Sequence, residues 1–146
     1  VYHAPGHAFH QAVFYDPAND GVFTADAAGI NSPAIDGVTQ TSPPPGFDLE
    51  GCLDDVEMLQ DIDPSALYYA HFGDRETGTL LEEYAVVLEN WVERVESKRE
   101  ELEDDDAVKA YFAARAETTD AWGEAHAREE ARMNVSGVLH YLDQQS

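Results

Sequence analysis

Cysteine occurs once, at Cys52, so no intrachain disulfide can form, and the chain suits a reducing cytoplasm. Lysine is nearly absent, with only Lys98 and Lys109. Proline stops at Pro64, although seven prolines precede or include it. No apolar run approaches the ~18 residues that a membrane span needs, and no signal peptide is visible. Positive charge is the scarcest property: 8 basic residues face 30 acidic ones, for a net charge of -22. Such a surface repels phosphate backbones and anionic lipid, which argues against nucleic acid or a membrane as partner.

What is present points to a folded chain. The 146 residues and 43% apolar content are enough for a core. The acids run from Asp16 to Asp143 among aromatic and β-branched residues, whereas a disordered acidic tail would collect them in one block. A distributed acidic coat with little lysine is the pattern that keeps a halophile's protein, of the haloarchaeal type, soluble in concentrated salt. The start at Val1, without Met and within an extended segment, predicts a fragment of a longer chain.

The composition shift near Gly78 predicts two parts, residues 1–76 rich in strands and loops and residues 77–146 helical. In the first part, Ala12 to Tyr15 and Gly21 to Thr24 flank an Asp-Gly turn and read as a hairpin. A long irregular stretch follows from Ala27 to Phe47. Loops of that length inside a domain are usually functional. Asp48 is placed to cap a helix reaching about Ile62, Asp63-Pro64 stops it, and Ala66 to Ala70 reads as a strand delivering His71. In the second part, Thr79 to Glu82 reads as a capping box before the apolar stripe Leu80, Tyr84, Val87, Leu88, Trp91 and Val95. Another helix is expected over Ala107 to Ala116, and a last helical region holds Ala125 to Arg132 and Val135 to Leu142.

His7, Asp26 and His71 each follow an extended segment and enter a loop, where side chains can meet on one rim of a sheet. Imidazole and carboxylate hold zinc, iron or manganese without a thiolate, and one carboxylate can bridge two ions. Spacing alone is a weak signal, because a histidine in a Pro-Gly turn is more often a surface or capping residue than a ligand.

The ordered string adds to this. His3-Ala4-Pro5-Gly6-His7-Ala8, a hairpin, Phe23-Thr24-Ala25-Asp26-Ala27-Ala28-Gly29, Pro43-Pro44-Pro45 before a helix, and His71-Phe72-Gly73 together resemble the metallo-β-lactamase superfamily, in its thioester-hydrolase and related branches. The match covers residues 1 to about 95. The resemblance implies an α+β fold, the C-terminal half of an αββα sandwich followed by a helical C-terminal region. It implies that His7 ligates one metal ion, His71 a second, and Asp26 both, which makes Asp26 the catalytic residue as well. It implies two divalent cations, zinc first and iron or manganese as alternatives, that activate water against a thioester, lactone or related ester in a small-molecule substrate.

Two departures from the family pattern concern geometry: Ala25 and Phe72 stand where glycine is usual. A larger one is the absence of H-x-H-x-D-H, which supplies most of the first metal site. The missing N-terminal half of the fold is therefore an expected partner, and apolar faces such as that of Val13, Phe14 and Phe23 are expected to be bare or covered by a second copy, a homodimer. His10 reads as surface or packing, or at most as support for a ligand; His126 and His140 read as exposed. Two other readings remain: an iron enzyme of the persulfide-dioxygenase kind on the same scaffold, and a noncatalytic acidic module whose helices from Leu80 onward bind a partner.

Overall fold

A computed structural model describes residues 1–32, 37–116 and 123–146. The first part holds β1 (Tyr2–His3), β2 (Ala12–Asp16), β3 (Gly21–Ala25), β4 (Ile30–Ser32), β5 (Gly37–Thr39), α1 (Leu49–Ile62), β6 (Ala66–Tyr69) and β7 (Asp74–Glu76). The second holds α2 (Leu80–Leu102), α3 (Asp105–Ala114) and α4 (Glu124–Gln145). The fold is α+β with a helical C-terminal region.

The main sheet has the order β1-β2-β3-β6-β7. Its neighbours are antiparallel except β3 and β6, which run parallel and are joined by the crossover that contains α1. Asp48 caps α1 by accepting the Gly51 amide, and the left-handed Asp63 ends it, as the Asp48 and Asp63-Pro64 signals predict. Alternation decides the sheet's two faces. Val13, Val22 and Leu67 are fully buried in the cluster that also holds Cys52, Val56 and Leu59 of α1. Their neighbours Phe14 and Phe23, paired across β2 and β3, point the other way and are 53% and 52% exposed. Val13 therefore does not share the bare face expected for it, because successive strand residues point to opposite sides.

Two local expectations need correction, and one strand, β7, was not expected. The stretch from Ala27 to Phe47 is not wholly irregular: β4 and β5 pair in a small antiparallel sheet, and β5 packs on α2. Three-residue strands are too short to show a period of two. Residues 33–36 of that stretch lie outside the described residues. Strand β7 reads Asp-Arg-Glu and carried no apolar signal, as befits a short charged edge strand. No capping box forms at Thr79. Its backbone (φ -100°, ψ 10°) is not extended as a capping residue requires, and its hydroxyl donates to Glu83 instead, 2.6 Å away.

The helices do not stand apart from the sheet region. One buried cluster continues from Val22 and Leu67 through Tyr84, Leu88, Trp91 and Val95 of α2 to Val108, Phe112, Val135 and Val138. Buried Ser42 joins the parts with hydrogen bonds. Its hydroxyl donates to the Asn134 carbonyl (2.8 Å) and accepts from the Trp91 indole (3.0 Å), while its amide donates to Asn134 Oδ1 (2.9 Å).

Candidate metal centre

Three loops leaving the sheet on one side form the candidate site. Register pairs Ala25 with Tyr69, so the parallel strands β3 and β6 release their C-terminal residues side by side. A bulge between Phe23 and Ala25, and a left-handed Ala25 (φ 47°), turn the chain and aim Asp26 off the strand. On the neighbouring strand, Phe72 (φ 63°) and Gly73 (φ 97°) make the corresponding turn after His71. Asn31 on β4 donates to the Phe72 carbonyl (3.0 Å), and Arg75 donates to Asn31 (3.1 Å), which holds that turn. The two residues that depart from the family's glycines, Ala25 and Phe72, thus both occupy backbone that glycine adopts most easily.

The third loop carries His7. Gly6 lies so close to α1 that a Cβ on it would meet the Cys52 amide nitrogen at 2.1 Å. Its own amide donates to Asp55 (2.8 Å), and its carbonyl accepts from the Asp48 amide (2.9 Å). Gln11 closes the loop's base: its side chain donates to the Ala4 carbonyl (3.0 Å) and accepts the Asp26 amide (3.1 Å). Asp55 and Gln11 are both buried, and sequence reasoning passed over both. The available signal was a polar residue on the inward stripe of α1, where Asp55 stands beside Cys52, Val56 and Leu59.

The structure brings His7, Asp26 and His71 together. His7 Nε2 lies 3.3 Å from Asp26 Oδ2, and His71 Nε2 lies 3.6 Å from Asp26 Oδ1. Each imidazole addresses a different oxygen of one carboxylate. Among the described residues no group of three or more His, Cys, Asp or Glu side chains surrounds one point as a metal ion would require. These two observations agree: a carboxylate between two imidazoles offers two protein atoms to each of two positions and three to neither.

The donor set suits divalent ions, being two imidazoles and one carboxylate. His7 Nδ1 and Asp26 Oδ1 are buried polar atoms without a hydrogen-bond partner, an arrangement that costs free energy unless a ligand satisfies it. The site is half open, with His7, Asp26 and His71 side chains 12%, 25% and 42% exposed. Cys52 lies in the buried core with Val56 and Leu59, and burial pushes its thiol up to about 12.

The other histidines lie elsewhere. His10 is exposed and stacks edge-on against Phe9. His3 bonds the Phe9 carbonyl (2.7 Å), His126 pairs with Glu130 and His140 with Gln144, all three at exposed positions.

Comparison with known proteins bears on this geometry. Residues 1–71 match the model of the metallo-beta-lactamase superfamily. The chain is similar in structure to a metallo-beta-lactamase family protein from Thermus thermophilus, at 20% identity and a TM-score of 0.59, over 98% of this chain and 43% of that one. It is also similar to an archaeal metallo-beta-lactamase superfamily protein from Sulfolobus tokodaii, at 20% identity and a TM-score of 0.54, over 94% of this chain and 44% of that one. It therefore spans less than half the length of either structure. A search of curated proteins gave no match. The sequence match to the metallo-beta-lactamase superfamily thus lies in residues 1–71, and the chain has the fold of part of the two structures.

Proposed function

We propose that the chain contributes His7, Asp26 and His71 to the two-ion site of a hydrolase acting on thioesters, lactones or related esters. The observation that supports this best is the Asp26 carboxylate held between two imidazoles, one at each oxygen. In this reading His7 would hold one ion, His71 the other, and Asp26 would serve both. Zinc fits the donors first, with iron or manganese as alternatives. Such a pair, when bound, supplies water made acidic enough to act as nucleophile near pH 7 and polarises the substrate carbonyl.

The chain's own residues do the positioning. Gln11 ties the base of the His7 loop to the Asp26 backbone, and Asn31 steadies the His71 turn. The Asp26 carboxylate stands between two groups that become ligands only when neutral, so its charge draws cations to the rim. Within the Ala27 to Phe47 segment, Asn31 reaches the His71 turn, and we assign selection of a small-molecule substrate to that part of the segment.

Three protein donors fall short for two ions, each of which needs about three. The remaining ligands are assigned to a segment bearing H-x-H-x-D-H, whose sheet would cover the bare face of Phe14 and Phe23. A second copy of the chain is the alternative cover for that face. The acidic coat suits a salt-rich cytoplasm. Among the described residues no helix is long and apolar enough to cross a membrane.

The test compares the 146 residues alone with the same chain joined to such a segment. Chelator-sensitive hydrolysis of a thioester or lactone is expected only in the joined form, and it should vanish in Asp26→Ala. Robust turnover by the isolated chain, or turnover indifferent to Asp26, would refute the proposal.

A further inference from the structure

Helix α1 grips Gly6 on both sides. The Gly6 amide donates to Asp55 Oδ2, and the Gly6 carbonyl accepts from the amide of Asp48, the residue that caps the helix. These bonds fix the two successive peptide planes that meet at the Gly6 Cα, and the second of them carries the His7 nitrogen. Space closes the grip: a Cβ on Gly6 would run into the Gly51 and Cys52 backbone at 2.1 to 2.5 Å, and a Cβ on Gly51 would meet the Gly6 Cα at 3.0 Å. The His7 side chain therefore starts from a backbone with little freedom left.

Asp55 is an unusual choice for that grip. It is only 5% exposed, on the face of α1 that otherwise carries Cys52, Val56 and Leu59. Burying a carboxylate costs free energy that an apolar side chain would not incur. Burial raises its carboxyl group above the ordinary range, and the Gly6 amide opposes the rise. Its side-chain hydrogen bond ends on the residue before His7.

We infer that Asp55 is a positioning residue: by accepting the Gly6 amide it sets the Pro5-Gly6-His7 turn so that the His7 imidazole faces Asp26. The inference rests on the reading of His7 and Asp26 as metal ligands. Asp55 touches neither the ions' positions nor the substrate and acts only through the turn.

The experiment uses the full 146-residue chain, isotope-labelled, with Asp55→Ala, Asp55→Asn and Val135→Ala as variants. Asn keeps an acceptor oxygen for the Gly6 amide, Ala keeps none, and Val135→Ala weakens the fully buried core of α4 away from the site. Binding of Zn2+ alone is followed on the His7 and His71 ring signals, together with exchange of the Gly6 amide proton. An outer residue that orients a metal ligand typically matters by about 10- to 100-fold in metal affinity. Asp55→Ala should lose affinity on that scale and expose the Gly6 amide, Asp55→Asn should stay within about threefold of the parent by the same scale, and Val135→Ala should bind as the parent does. Parent-like Zn2+ affinity in Asp55→Ala, or equal loss in the Ala and Asn variants, overturns the inference.

A second arm separates this inference from the metal reading. If the 146 residues alone bind no Zn2+, the metal reading is decided on the chain joined to the H-x-H-x-D-H segment, and proton contacts between the His7 ring and the Asp26 side chain decide the positioning role. Loss of those contacts in Asp55→Ala with recovery in Asp55→Asn supports it. Their survival in Asp55→Ala overturns it. If Asp55→Ala fails to fold, Asp55→Asn decides: parent-like contacts and Zn2+ affinity support the acceptor role, and their loss in a folded variant overturns it.

Discussion

Replacing Gly6 by Ala adds one methyl group where the fold has no room. The new Cβ would lie 2.1 Å from the Cys52 amide nitrogen, 2.3 Å from the Gly51 carbonyl carbon and 2.5 Å from the Cys52 Cα. All three are helix backbone atoms and cannot swing aside. If the turn stays seated, α1 must shift, and overpacking of this kind costs about 1 to 3 kcal/mol or more. If the turn lifts, the bonds to Asp55 and Asp48 are lost at about 1 kcal/mol each, and a buried Asp55 without its amide adds about 1 to 3 kcal/mol. Either route leads to a loss of about 3 kcal/mol, a large part of the roughly 5 to 15 kcal/mol that stabilises a typical domain. Gly73→Ala is the control. Gly73 sits at φ 97° with nothing within 4 Å of a built Cβ, so it meets strain without collision. That strain is about 1 to 2 kcal/mol, offset by about 0.4 to 1 kcal/mol from stiffening the unfolded chain. Urea denaturation of parent and both variants measures the difference. A Gly6→Ala loss below about 1 kcal/mol, or below that of Gly73→Ala, would show that the turn is not clamped as described.

Ser42→Ala removes the hydroxyl that receives the buried Trp91 indole N–H and binds the Asn134 carbonyl, so it should cost about 2 to 3 kcal/mol in urea melts; parent-like stability would mean the two parts do not depend on this link. Tyr141→Phe removes the phenol that bonds Glu50 and holds its carboxyl below the ordinary range. A depressed carboxyl stabilises above its unfolded value and loses that contribution as pH falls through the folded one. The parent should therefore exceed Tyr141→Phe by about 1 kcal/mol at pH 7, with the gap closing in acid; a gap independent of pH from 7 to 3 refutes the assignment. With a net charge of -22, the melting temperature should climb steeply with potassium chloride as the Debye length falls from ~30 Å at 0.01 M to ~3 Å at 1 M, and a flat profile would count against the salt-adapted reading.

Local chemistry was legible in the sequence wherever one segment carries its own signal. The Asp16 to Gly21 turn between β-rich runs specified the hairpin of β2 and β3, and Asp48 with Asp63-Pro64 bounded α1 nearly to the residue. The apolar stripe from Leu80 to Val95 specified the buried face of α2. The three side chains that meet, His7, Asp26 and His71, were singled out by the resemblance of the ordered string to a known family, since their spacing alone is a weak signal. Tertiary structure decided the rest, because contacts between distant segments leave no local period. The parallel register of β3 and β6 places Asp26 beside His71, and the close approach of Gly6 to Gly51 places His7 opposite both. Thr79 is the opposite case: its capping pattern was local and clear, yet the Thr77–Leu80 turn gave its backbone another conformation. Asp55 looked like one more acid in a chain of 30, and only its burial against the Gly6 amide distinguishes it, since hydrogen-bonding a carboxylate inside a core is a property of the packed fold and not of the residue.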